Sequence, residues 1–217
     1  PTNEFNETFS ESTKIISGVS FVGLDLREVN FVGAIVTDVD FTEADLSGKD
    51  LSFTTFSNVD FTNTNLSNAK LSNLNLSETE FHGTILKNTN LSGANLDDVY
   101  FEDVDLTNAN LENADMKRIV MKSSILTNAN LANVNLYQSS ISQTRLDETN
   151  LRNAILRDSD LSWSMFDNAD LTSANLSDVK LDNTNFRLVK FNGANLNDVD
   201  FRLAILEDAD LSDTKLI

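Results

Sequence analysis

The chain has 217 residues with no cysteine, one proline and seven glycines, which excludes disulfides, thiolate metal sites and thiol nucleophiles and argues against a disordered or collagen-like polymer. Thirty-four acidic against 16 basic side chains leave a formal charge of −18, a field that repels nucleic acid and anionic lipid and attracts basic protein surfaces. No apolar run approaches the roughly 18 residues of a membrane span and no secretory leader is visible. The expectation is a soluble protein off the membrane, cytoplasmic in preference, or periplasmic or lumenal had a leader been removed ahead of Pro1.

The charge is uneven, −13 over residues 1–108 and −5 over 109–217. The first 13 residues stand outside the pattern that fills the rest. Phe5 and Phe9 lie four apart, the spacing of one helix face, while Asn6 and Glu11 occupy positions that the later pattern reserves for apolar residues. Residues 1–13 are therefore predicted to form an N-terminal cap, a short helix laying both rings on the start of the patterned segment.

From Ile16 to Leu216 every fifth residue, 41 in all, is Leu, Phe, Ile, Val or Met, without insertion or deletion. A period of five fits neither a 3.6-residue helix nor a two-residue strand and is the mark of a repeat architecture. The residue two places earlier is mostly small or β-branched, as at Val39, Ala44, Ala69, Ala94 and Ala109. Residues two apart on an extended segment point to the same side, so each repeat turns one small and one large side chain inward. The residue between them points outward and is most often Asp or Asn. All seven glycines fall two places after the large apolar residue, a slot shared with Asn58, Asn63, Asn68, Asn108 and Asn133. Gly and Asn tolerate the positive φ of tight corners, so this slot is read as a corner.

A second period runs inside the first. Phe21, Phe41, Phe61, Phe81, Phe101 and Phe201 share one position modulo 20, and Asn90, Asn110, Asn130 and Asn150 share another. Like residues recurring every fourth repeat imply a four-sided coil, with rings stacked inside and an amide ladder outside.

Stretches such as ADLSG (44–48), ANLDD (94–98), ANLEN (109–113), ANLAN (129–133) and ADLTS (169–173) resemble the pentapeptide-repeat family, whose consensus is roughly A(D/N)LXX. The resemblance spans residues 14–217. It implies an all-β fold, a right-handed quadrilateral parallel β-helix with four repeats to a coil. At twenty residues a coil that is about ten coils, a rod on the order of 50 Å long at strand spacing. Residues 14–217 are expected to form a single domain.

Signals for chemistry are sparse. His82 stands alone beside Gly83, with the look of an exposed corner residue, and the serines after the large apolar positions occupy corner slots. No nucleophile elbow, phosphate loop or metalloprotease helix occurs, so no enzyme, catalytic residue, cofactor or metal is expected. Two outward columns are acidic, Asp40, Asp60 and Glu80 in one and Asp25 and Asp45 in the other. Stacked like charges repel and a cation would relieve them, but a solvated acidic face is the expected outcome.

Deviations from the repeat carry the remaining information. Lys49 occupies a small inward slot, where an unpartnered ammonium is costly, and is expected either to reach outward beside Asp50 or to mark a local bend. Leu24, Leu74 and Ile119 overfill the same slot. Residues 116–122 hold the one basic cluster, with Lys117, Arg118 and Lys122. Ile85, Ile125, Met165 and Ile205 share one outward column, and Trp163 and Leu203 the corner column beside it. These six are expected to be exposed and to mark a partner or dimer surface. An uncapped C-terminal coil suggests a tail-to-tail homodimer.

The expected function is a non-catalytic scaffold for an unidentified protein partner, without direct nucleic-acid binding. The alternative is implied by the resemblance: some members of the family are acidic, DNA-mimicking rods that bind a type II topoisomerase, modulating it or protecting it from quinolones.

Overall fold

The computed structural model describes residues 14–216; the expected cap over residues 1–13 lies outside the described residues. Described elements are all strands: β1 (Ile15–Ser17), β2 (Ile35–Asp40), β3 (Thr55–Asp60), β4 (Thr79–Glu80), β5 (Tyr100–Glu102), β6 (Val120–Lys122) and β7 (Ser140–Ser142). They form two parallel ladders, β1-β2-β3-β4 and β5-β6-β7. Every pairing joins residue i to residue i+20, from Ile15–Ile35 to Asn195–Lys215. The chain is thus a parallel β-solenoid with four sides to each twenty-residue coil. Continuous strands number seven, fewer than the about ten coils expected; elsewhere single bridges keep the same register.

Residues 105–109 show why five residues suffice for one side, because every backbone N–H finds a partner. Asp105 N–H donates down the stack to Thr84 O (3.1 Å), while Leu106 and Asn108 donate up it to Ile125 O (2.7 Å) and Thr127 O (3.0 Å). Ala109 N–H closes the corner on Leu106 O at 2.9 Å. The remaining donor, Thr107 N–H, is taken at 3.1 Å by Oδ1 of Asp105. Asp and Asn therefore recur at the outward slot for a local reason: their side chain satisfies the amide two residues on, as in an Asx turn. The same bond recurs at Asp40, Asp60, Asn90 and Asp170. Asn108 takes the corner at φ 58°, a conformation Asn and Gly reach at low cost.

Inside, Phe21, Phe41, Phe61 and Phe81 stack with centroids 5.3, 5.3 and 5.4 Å apart, and Phe101 ends the stack edge-on at 5.2 Å. Where the small slot holds Thr or Ser, its hydroxyl donates to a backbone carbonyl, either one coil below or three residues earlier in the chain, as from Thr79 to Leu76 O. Thr64 bonds Phe41 O at 2.7 Å and Thr84 bonds Phe61 O at 2.7 Å. The polar atom is thus buried without an unmet bond.

The inward pattern fails at the ends of the described stack. Leu24, expected inside, is 49% exposed, and Val19 is exposed as well. The slot that buries Ala44 and Ala69 does so only with a coil on either side. In the last coil Phe201, Leu206 and Leu211 are half-buried and Leu216 is exposed. Leu74 and Ile119 are buried as overfilled slots. Lys49 is half-buried, and its ammonium donates to the carbonyl of Arg27 on the coil below rather than pairing with Asp50.

Candidate interaction surface

With the interior filled by side chains, chemistry is confined to four outward faces and four corners. The first face carries Asp40, Asp60 and Glu80 in register across β2, β3 and β4. These three carboxylates have no ion pair among the described residues. Together with Asp38, Asn58 and Glu78 they line a cleft of about 250 Å³. Among the described residues no group of His, Asp and Glu has the geometry of a metal site. The acidic run stops after Glu80, because Tyr100 and Val120, 47% and 38% exposed, take the next two positions.

The second face begins with Asp25 and Asp45, bridged in register. Arg27 relieves their mutual repulsion, with its guanidinium 2.7 Å from Asp25 and 3.5 Å from Asp45. Hydrogen bonds from Arg27 lower the Asp25 pKa to about 2. The acidic columns are thus two and three rungs long, on adjacent faces, and only the longer one lacks a cation partner.

Further along, the second face runs Ile85, Asp105, Ile125, Arg145, Met165, Asn185, Ile205, each bridged to the next. Apolar residues occupy every second coil. Ile85, Met165 and Ile205 are exposed, and Ile125 is half-buried where full exposure was expected. Trp163 and Leu203 are exposed on the adjoining corner. Trp163 is held at φ 66°, a strained backbone for a bulky residue, with 61% of its surface in solvent.

Two of the three cations of the basic cluster are paired within the fold, while Lys122 is exposed and has no ion pair among the described residues. Arg118 clamps Asp97 at 2.7 Å and Asp98 at 2.8 Å, and Lys117 pairs with Asp115 at 2.9 Å. Met116, Ile119 and Met121 are core residues. His82 is a corner residue with Nδ1 3.6 Å from Glu102.

Sequence reasoning passed over Phe53 and Leu188. Both are apolar residues at corner positions, with φ of 61° and 58°, and Phe53 is 84% exposed. The signal was present: each stands in the slot that elsewhere mostly holds Gly, Asn or Asp.

A filled tube of five-residue sides whose distinguishing residues all lie on its outer surface defines a solenoid scaffold. The family models bear this out, matching as pentapeptide repeat region over residues 54–126 and 119–196 and as pentapeptide repeats over 16–48 and 184–217. The chain belongs to the pentapeptide repeat family. Among solved structures it is similar to HetL, a pentapeptide repeat protein involved in heterocyst differentiation regulation from the cyanobacterium Nostoc sp. strain PCC 7120. That match has 23% identity and a TM-score of 0.77, covering 93% of this chain and 86% of HetL. QnrB1, a plasmid-mediated fluoroquinolone resistance protein, matches at 20% identity over 94% of this chain and 92% of its own, with a TM-score of 0.32. Rfr23 from the cyanobacterium Cyanothece 51142 matches at 29% identity over 48% of this chain and 60% of its own, with a TM-score of 0.23. No curated protein matches the sequence. Among the described residues no helix is long and apolar enough to cross a membrane.

Proposed function

We propose that the chain is a non-catalytic scaffold that binds a protein partner through its second face and the corner beside it. Trp163 carries this reading. Holding a bulky residue in the left-handed region costs about 1–2 kcal/mol, and its ring gains nothing from the core because it faces solvent with Met165. A contact that covers Trp163, Met165, Leu203 and Ile205 supplies the return that the isolated fold lacks. The test immobilises the full chain and its Trp163→Ser/Met165→Ser variant side by side. A partner retained by the first and lost by the second supports the reading, and equal retention by both removes it.

A second reading is binding to a type II topoisomerase in place of DNA. The cation-free carboxylates Asp40, Asp60 and Glu80 favour it, being placed to meet a basic groove. A gyrase supercoiling assay with and without a fluoroquinolone decides it. Supercoiling unchanged by excess chain under both conditions rejects it.

A further inference from the structure

Ile85, Ile125 and Met165 recur at every second coil of the second face, a repeat of about 9.6 Å at strand spacing. A partner helix with one apolar residue every two turns repeats at about 10.8 Å and drifts out of step along the face. A second copy of this chain has the same coil spacing and keeps step throughout.

The polar rungs between the apolar ones fix how such a copy lies. Turning it antiparallel about Ile125 sets Ile85 of each chain against Met165 of the other and the two Ile125 side chains against each other. The same turn brings Asp105 opposite Arg145, twice. Within one chain Asp105 already pairs with Lys87 at 2.9 Å and Arg145 with Asp147 at 3.1 Å, so the pairing links four charges of alternating sign. A parallel arrangement in register instead sets Asp105 against Asp105 and Arg145 against Arg145.

We infer that the second face is a homodimer surface, pairing two chains antiparallel about Ile125 with reciprocal Asp105–Arg145 contacts. The inference rests on the reading of this face as a contact surface and names a second copy as its occupant.

The test is a charge swap in the full chain, followed by sedimentation velocity over a concentration series. Asp105→Arg and Arg145→Asp each place like charges opposite one another, and each alone is expected to weaken self-association by about tenfold or more. Mixing the two single variants brings opposite charges together at both positions, so a heterodimer forms from two chains that each self-associate only weakly. Because the chain has no cysteine, Ile125→Cys gives an independent reading: oxidation yields a covalent dimer, whereas Ile205→Cys, which lies opposite Asp45, does not. A wild-type chain monomeric at every concentration overturns the inference. So does a dimer indifferent to both charge changes, as an end-to-end dimer through the last coil would be. Neither result touches the partner-retention test on Trp163 and Met165, so failure of this inference and failure of the scaffold reading are told apart.

Discussion

Truncating Phe61 to Ala tests the stacked interior directly. The ring is fully buried, stacked between Phe41 at 5.3 Å and Phe81 at 5.4 Å, and met edge-on by Phe56 at 5.5 Å. Removing a buried Phe side chain costs about 3–5 kcal/mol. The three aromatic pairs that disappear with the ring place this site at the upper end, since each is worth about 0.5–1.5 kcal/mol beyond area alone. Coils above and below are tied by backbone bonds on four sides, so the void has little scope to collapse. Phe201 shares the column but lies in the last described coil, where it is only half-buried. The same substitution there is expected to cost less, because the lost transfer energy scales with the area removed from water. Urea unfolding followed by far-ultraviolet circular dichroism measures both. Equal costs at the two positions, or a loss below about 1 kcal/mol for Phe61→Ala, a fraction of the range for buried Phe, would refute the reasoning.

Three further outcomes are expected. Thr64→Val keeps the shape of the side chain but removes the buried bond to Phe41 O; it should lower stability by about 1 kcal/mol in the same urea assay. Phe53→Asn exchanges a strained, solvent-exposed ring at φ 61° for a residue at ease in that corner. It should raise stability by about 1 kcal/mol, and a loss of that size would show the ring packing on the fold after all. Asp25 titrates at about 2 in the fold, held down by hydrogen bonds from Arg27, against an ordinary 3.8. A lowered carboxylate pKa adds stability above the ordinary value and loses it as pH falls through the lowered one. The difference in thermal midpoint between wild type and Asp25→Asn should therefore be complete at neutral pH, shrink from about pH 4 downward and vanish below about pH 2. A difference that persists at pH 1.5 contradicts the assignment.

The fold was legible because its determinants are local and repeated. The apolar fifth residue from Ile16 onward and the Gly or Asn corners each report a backbone requirement met inside a single side of the tube. The Phe column was visible for the same reason, since twenty residues separate neighbours in space. Leu24 was misread because burial of the small slot depends on coils above and below, which a five-residue pattern does not encode. Ile125 was expected in solvent and is half-buried between Asp105 and Arg145, neighbours whose long or charged side chains shape its surroundings. The partners of Arg118 were hidden in a similar way: Asp97 and Asp98 lie about twenty residues before it and are its neighbours only after coiling. On the candidate surface the apolar column and Trp163 could be read from position alone. Phe53 fills the same kind of corner slot as Trp163 and Leu203 but has no apolar neighbour in its own column, so position alone did not group it with a surface.

The invariant offset of twenty residues between stacked neighbours also sets a rule for how such a chain can change length. A duplication of twenty residues adds one storey and leaves every downstream side chain above its former kin. A duplication of five preserves each local corner but turns all later storeys by a quarter, so that an insertion near residue 150 would swing Trp163 and Met165 away from Ile85 and Ile125 without unfolding either half. Growth is thus nearly free in steps of four repeats, while a single repeat acts as a rotary joint that re-aims one end of the rod against the other.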